Sequence, residues 1–173
     1  MMAGKRMMTR KKVLWATLIV CLGVVNFLTF QKENLLASGT TILLELAPRD
    51  PRSLIQGDYM SLRYRLAQEI SRKLDTRESL DGYVIVTLDQ NNVAEFKRTS
   101  VHIPDLEPEE YLLLFRVRGG GVKIATNAYY FEEGSEPVFR SAKYGELKVN
   151  DDGHSVLIGL RDTDLKRLEV PAS

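Results

Sequence analysis

The chain contains 173 residues, of which 44% are hydrophobic and 27% are charged, a composition typical of a folded protein rather than a disordered one. Its 24 basic and 23 acidic residues give a formal net charge of +1, but five of the cations lie within the first twelve positions. The rest of the chain therefore carries 19 basic against 23 acidic residues, which argues against the clustered positive charge that a nucleic-acid partner requires.

An uncharged apolar segment, Val13 to Phe30, follows the basic residues 1–12. As a helix, these 18 residues approach the hydrocarbon thickness of a bilayer, which is about 30 Å. Trp15 near one end and Lys32 with Glu33 beyond the other suit the two membrane interfaces. We expect an uncleaved transmembrane anchor in contact with the lipid bilayer, because a cleaved signal peptide would have a shorter apolar run and a small-residue cleavage motif.

The basic residues before the span predict its orientation. Positive charge is retained in the cytoplasm, so residues 1–12 are expected on the cytoplasmic side of the inner membrane and the remainder outside it. Residues 31–39 are interpreted as a tether and residues 40–173 as one extracytoplasmic domain, periplasmic in a Gram-negative cell. The single cysteine, Cys21, lies in the span, so the outer domain has no disulfide and no thiol chemistry.

The outer domain begins with two predicted strands. Residues 40–46 are β-branched and apolar, and after a corner at residues 48–57 the next stretch, residues 58–66, alternates. One face of that alternation holds Met60, Leu62, Tyr64 and Leu66, and the other holds Tyr59, Ser61, Arg63 and Arg65. The hydrophobic spacing changes to four residues from Leu66, which predicts a short helix to about Asp75.

Four residues of the corner between these strands can be explained by structural roles. Asp50 can cap the amides that follow it in a turn, and Gly57 is expected to hold a backbone angle that a side chain would forbid. Asp58 can accept backbone amides of the corner or pair with Arg52. Tyr59 fits this explanation less well, because its parity places an aromatic ring among hydroxyls and cations rather than in the core.

Three hairpins are predicted in the rest of the chain. Their paired segments are residues 83–89 with 93–101, 110–118 with 122–126, and 145–150 with 154–160. Residues 129–131 are expected to extend the second hairpin. A second short helix is expected between the last two hairpins, with Ser135 as its N-cap, Pro137 in its first turn and Gly145 at its end.

Together these elements predict a mainly β fold. We expect an antiparallel sheet or a barrel-like β domain with two short helices, behind one N-terminal transmembrane helix. Asp151, Asp152 and His154 are interpreted as an exposed turn rather than a metal site. The acidic run at residues 105–110 is interpreted as a solvated loop rather than an acid–base or calcium site. No catalytic residue, metal site or cofactor is assigned.

The segment "GDYMSLRY" at residues 57–64 resembles the GDYXXLXY family. Its five fixed positions are occupied by Gly57, Asp58, Tyr59, Leu62 and Tyr64. The upstream "DPRSL" and the later "YGELKVNDDGHSVLIGL" also look like that family. The resemblance implies an N-terminal membrane span, and it supplies no catalytic residue. Family members tend to be encoded beside multi-pass membrane proteins, which implies a membrane-protein partner.

Three functions from different classes remain open on this sequence. The first is a membrane-anchored extracytoplasmic interaction module without catalytic activity. The second is a membrane-tethered hydrolase loosely similar to type I signal peptidases, although Ser38 is followed by glycine rather than methionine. The third is a carrier of small apolar ligands with a cavity inside the β domain. The first is preferred, and its candidate surface is the motif region: Asp50, Arg52, Gly57, Asp58, Tyr59, Leu62, Arg63 and Tyr64.

Overall fold

A computed structural model describes residues 3–47, 59–74 and 78–170. The predicted corner at residues 48–57 lies outside the described residues. Four of the candidate site residues therefore lie outside them as well: Asp50, Arg52, Gly57 and Asp58. The chain divides into two compact units, residues 1–37 and residues 38–173.

The first unit is a single long helix, α1, which runs from Ala3 to Ser38. Its part from Lys11 to Ser38 is long and apolar enough to be a candidate membrane span. The helix does not end at Phe30, because the residues assigned to the tether continue it to Ser38.

Three polar side chains in the apolar part of α1 bond to the helix itself. Thr17 and Thr29 each donate to a carbonyl oxygen four residues earlier, at 3.0 Å in both cases, and Asn26 does so at 2.8 Å. A polar side chain that returns its hydrogen bond to its own helix presents fewer unsatisfied groups to hydrocarbon. The segment therefore remains compatible with hydrocarbon at these three polar positions.

The second unit is built mainly of antiparallel strands. The strands among its described residues are β1 Thr40–Glu45, β2 Tyr59–Ser61, β3 Leu80–Leu88, β4 Ala94–Ser100, β5 Glu110–Arg118, β6 Gly121–Ile124, β7 Ala128–Tyr130, β8 Tyr144–Val149 and β9 Ser155–Arg161, and the helices are α2 Arg65–Lys73 and α3 Glu136–Phe139. They form three sheets, with strand orders β1-β8-β9, β2-β7 and β4-β3-β5-β6. The mainly antiparallel prediction is confirmed, and the described strands do not close into a barrel.

The three predicted hairpins are confirmed. β3 pairs with β4, β5 with β6 and β8 with β9, each in antiparallel register. The turn before β4 contains Asn92, whose φ is 61°, and the turn before β9 contains Gly153, whose φ is 82°. Asparagine and glycine adopt this left-handed region at low cost, which is why these local signals could be read from the sequence.

Of the two local predictions between the second and third hairpins, one was wrong and the other was confirmed in part. Residues 129–131 do not extend β6, since the chain turns away at Ala125, whose φ is 51°, and forms β7 opposite β2. The second short helix is confirmed as α3, with Ser135 at its N-cap position and Pro137 in its first turn, although it has only four residues and the Ser135 side chain makes no capping hydrogen bond. Gly145 does not end this helix, because it lies inside β8 between β1 and β9.

One hydrophobic core joins the three sheets and α2. Its most deeply buried members come from β1, β2, β3, β5, β6, β8, β9 and α2: Ile42, Met60, Val84, Leu113, Ile124, Leu147, Leu160 and Ile70. Two backbone hydrogen bonds also link the sheets. Leu43 N donates to Asn92 O at 2.8 Å, and Leu114 N donates to Gly153 O at 2.9 Å. The tip of the β8–β9 hairpin therefore lies against β5.

Candidate functional site

The described part of the motif alternates between core and solvent, as predicted. The buried side chains are those of Met60, Leu62, Tyr64 and Leu66, and the exposed ones are those of Tyr59, Ser61, Arg63 and Arg65. The strand itself is shorter than expected, because β2 has three residues and α2 begins at Arg65. Leu62 N still donates to Asn127 O at 2.7 Å, so the extended geometry continues beyond β2.

Tyr59 forms an exposed aromatic pair with Tyr130. The two residues lie directly opposite each other in the β2–β7 register, and their ring centroids are 5.7 Å apart with planes inclined at 39°. Tyr59 is 38% exposed and Tyr130 is 75% exposed. Cross-strand aromatic pairs support each other's position, so two large rings are held together at the surface.

The neighbouring residue on β7 faces the interior and fixes the position of the pair. Tyr129 is partly buried and contacts Phe139 of α3 edge-to-face, with ring centroids 5.1 Å apart. Since side chains alternate along a strand, burial of Tyr129 directs Tyr130 outward. The exposed pair therefore sits on a strand that is anchored to the core through the opposite face.

Arg63 is the exposed cation of the described motif residues. Its backbone carbonyl accepts a hydrogen bond from Ala47 N at 2.7 Å, which attaches this segment to the end of β1. Its side chain lines a surface cavity of about 280 Å³ together with Gln68 and Ser71 of α2 and Asn127. The guanidinium forms no ion pair with any residue that the structure describes.

Tyr64 belongs to the core rather than to the surface. It is only 2% exposed, and its hydroxyl has no hydrogen-bond partner among the described residues. Burial raises the pKa of this phenol above its ordinary value. A Cβ at Gly145 would lie 3.1 Å from Tyr64 Cε1 and 3.2 Å from Leu157 Cδ1, so the absence of a side chain at Gly145 makes room for the tyrosine ring against β8.

Of the eight candidate residues, four can therefore be placed. Tyr59 and Arg63 present side chains to solvent, whereas Leu62 and Tyr64 are core residues. The sequence alone does not single out Tyr130, although it predicts an extended segment at residues 129–131. Nothing local in the sequence predicts that β7 pairs with β2, because the two strands are far apart in the chain.

The acidic run before β5 is not uniformly solvated. Glu110 is buried, and one of its oxygens accepts from Lys97 Nζ at 2.8 Å while the other accepts from Arg98 Nη2 at 3.0 Å. Glu107 N donates to the same carboxylate at 2.9 Å. The hydrogen bonds from Arg98, then Lys97, then the Glu107 amide lower the pKa of Glu110 to about 2. The solvated-loop prediction was wrong for this residue, which anchors the loop through ion pairs.

The β8–β9 turn holds the residues considered as an alternative metal site. His154 N donates to Asn150 Oδ1 at 2.8 Å, and Asp152 Oδ2 accepts from Asn150 Nδ2 at 3.3 Å. In the part of the chain that the structure describes, no three His, Cys, Asp or Glu side chains are grouped so that they could hold a metal ion. The side chains of Asn150 and Asp152 and the backbone amide of His154 therefore bond within the turn.

Comparison with known proteins identifies one relationship. A family model described as "GDYXXLXY protein" matches residues 21–160, which covers most of the chain and includes the segment at residues 57–64. No curated protein and no solved structure shows a match to the chain.

Proposed function

Because the chain belongs to the GDYXXLXY family, we propose that it is a membrane-anchored interaction module that binds a membrane protein through Tyr59, Tyr130 and Arg63. The observation that carries this proposal is the exposed tyrosine pair on β2 and β7. Tyrosine and arginine are among the residue types most enriched at the energetic centres of protein interfaces. No catalytic step is assigned to these side chains.

The geometry of the Tyr59–Tyr130 pair favours a role in binding over a role as exposed side chains without a partner. Each ring is held by its opposite neighbour in the β2–β7 register, so ordering these side chains on binding costs little conformational entropy. Anchoring by α1 would confine the domain to the membrane, where a partner with a membrane span is confined as well. A weak contact can then be well occupied, because tethering raises the effective concentration.

The proposal includes an orientation for the chain. We place the N-terminus in the cytoplasm and the β domain on the outer side of the inner membrane, supported by the five basic residues before Val13. In a Cys21→Ser background, a cysteine introduced by Asp164→Cys should react with a membrane-impermeant maleimide in intact cells. A cysteine introduced by Thr9→Cys should react only after lysis, and the reverse pattern would overturn the orientation.

Site-specific photo-crosslinking in native membranes tests the interaction surface. A photoreactive residue at Tyr59 or Tyr130 should yield the same discrete adduct, identified by mass spectrometry as a membrane protein. The matched control is position 164, an exposed aspartate in a turn outside β2 and β7. Adducts from position 164 alone, or from none of the three positions in the intact protein, would contradict the proposal.

Substitutions separate the interface from the fold. Tyr130→Ala and Arg63→Ala remove exposed side chains and should weaken crosslinking from position 59, each by about tenfold or more if the residues are energetic centres. Glu95→Ala on β4 serves as the exposed control. Equal crosslinking in the Tyr130, Arg63 and control variants would show that the tyrosine surface does not bind.

A further inference from the structure

A second surface cavity lies where β5 exchanges one neighbour for another. β6 pairs with β5 only from Phe115 to Arg118, because the chain leaves β6 after Ile124. At the next position along β5, Leu114 N instead donates to Gly153 O in the tip of the β8–β9 hairpin. The cavity at this junction has a volume of about 360 Å³ and is separate from the exposed tyrosine pair.

Two cations line this cavity from adjacent strands. Arg116 of β5 and Lys123 of β6 are direct partners in the antiparallel register, so their side chains leave the same face of the sheet. Like charges directly opposite each other are unfavourable in an antiparallel pair. Neither side chain forms an ion pair with another described residue, because Asp81, which lies opposite Arg116 on β3, instead pairs with Arg118 at 2.6 Å.

The remaining polar side chains around the cavity carry no negative charge and can donate hydrogen bonds. His154 and Ser155 come from the β8–β9 hairpin, whereas Thr126 and Asn127 come from the segment after β6. No carboxylate is among the described residues that line the cavity. The side chains of Asn127 and Ser155 make no hydrogen bond within the described structure, so their donors are available to a bound group.

We propose that this cavity is a binding site for a phosphate group. A tetrahedral oxyanion has several acceptor oxygens, and three separate segments present donors around this space. An arginine can contact two of the oxygens at once, while a lysine supplies a compact positive charge. A bound phosphate would also add negative charge beside Arg116 and Lys123, since Asp81, the register neighbour of Arg116 on β3, is paired with Arg118. The site includes neither Tyr59 nor Tyr130, although it shares Asn127 with the cavity beside Arg63.

Lysine acetylation of the full chain provides a residue-specific test. The protein is placed in phosphatidylcholine nanodiscs and treated with an amine-acetylating reagent, and modification of each lysine is followed by mass spectrometry. Inorganic pyrophosphate should slow the acetylation of Lys123 in a saturable manner while Lys166, an exposed lysine after β9, is unaffected. Sodium chloride at matched ionic strength controls for charge screening.

Variants distinguish a built site from non-specific attraction. Arg116→Gln should weaken the protection of Lys123 by pyrophosphate about tenfold, whereas Lys166→Gln should leave it unchanged. Lys123→Gln, followed by ³¹P nuclear magnetic resonance of pyrophosphate, should show the same loss. Without ligand, both pocket variants should melt at the same temperature as the native protein or higher, since a like-charge contact is removed.

Two arms of the experiment distinguish a lipid headgroup from a soluble phosphate. In one arm pyrophosphate is added to phosphatidylcholine nanodiscs, and in the other the nanodiscs contain phosphatidylglycerol without added phosphate. Protection of Lys123 that depends on Arg116 in either arm supports the site and identifies its source. If Lys123 is protected in neither arm, or is protected equally in the Arg116→Gln variant, the proposal is overturned.

Discussion

Tyr64 makes both a favourable and an unfavourable contribution to the stability of the fold. Its ring fills the core between Gly145 and the neighbouring side chains, but its hydroxyl is buried without a hydrogen-bond partner among the described residues. Leaving a buried hydroxyl unsatisfied costs about 1–3 kcal/mol, whereas the ring gains from burial. The contributions of the ring and of the hydroxyl can therefore be separated by substitution.

Tyr64→Phe should leave the free energy of unfolding unchanged or raise it by about 1 kcal/mol, because only the unsatisfied hydroxyl is removed. Tyr64→Ala should lower that free energy by about 3–5 kcal/mol, as for other large aromatic truncations in a core. Urea denaturation of the full chain in a mild detergent, followed by far-UV circular dichroism, measures both. A loss above about 1 kcal/mol in Tyr64→Phe would mean that the hydroxyl has a stabilising partner.

Gly145→Ala tests the close approach of Tyr64 to β8. The new methyl group would lie 3.1 Å from Tyr64 Cε1 and 3.2 Å from Leu157 Cδ1, so both side chains must shift. Overpacking of this kind lowers the free energy of unfolding by about 1–3 kcal/mol. Gly121→Ala is the matched control, since its Cβ would have only an ordinary contact at 3.8 Å with the Arg118 carbonyl oxygen. Equal stability of the two variants by urea denaturation would argue against close packing at Gly145.

At the scale of elements, the loop from β4 to β5 depends on one buried carboxylate. Glu110 has an ordinary pKa of 4.5 and a folded pKa of about 2. A lowered pKa stabilises the fold fully above pH 4.5, and that stabilisation is lost as the pH falls from 4.5 towards 2. Acid should therefore loosen this loop.

Glu110→Gln should reduce the pH dependence of stability between pH 4.5 and about 2, and it should lower the melting temperature at pH 7. Thermal unfolding at a series of pH values measures the effect. Glu95→Gln, on the exposed side of β4, is the control and should retain the native pH profile. A Glu110→Gln profile parallel to that of the native protein would show that the ion pairs with Arg98 and Lys97 contribute nothing.

Elements that carry local signals could be predicted from the sequence. The hairpin turns were readable because Asn92 and Gly153 sit where positive φ is needed, and the motif alternation correctly separated Met60 from Tyr59. The exposed tyrosine pair was only half predicted, since the partner strand of β2 is set by tertiary packing. Burial of Glu110 was missed because its cations, Lys97 and Arg98, lie on the preceding strand.

For the whole molecule, the apolar part of α1 makes the chain a candidate integral membrane protein. The double variant Leu22→Arg with Val25→Arg should release the chain during alkaline carbonate extraction, because each cation at a helix centre costs about 2.5–3.5 kcal/mol to insert. The double variant Leu22→Ala with Val25→Ala should remain in the membrane pellet. Release of the native chain by carbonate would contradict membrane anchoring.

The mainly antiparallel architecture was also predictable from the whole sequence, but its partition into three sheets was not. Turn signals joined neighbouring strands correctly, whereas β1 and β2 pair with strands that lie far along the chain. These long-range pairings are stabilised by the burial of residues such as Ile42 and Met60. Other strand orders around one common core could bury the same residues, so burial alone does not specify the order. The sequence therefore predicted the class of fold without the order of its strands.

Because β1 pairs with β8, the two strands of this pair are synthesised at different times. Thr40 lies opposite Val149, so the first strand leaves the ribosome about 100 residues before its partner. At a synthesis rate of about 5–20 residues per second, this delay lasts about 5–20 s. Throughout that time β1, which contains the buried residues Ile42 and Leu44, lacks the strand that it pairs with in the finished domain. We therefore expect the segment "TTILLE" to be an unpaired apolar strand in the nascent chain, and a chain stopped before Tyr144 to be prone to aggregation.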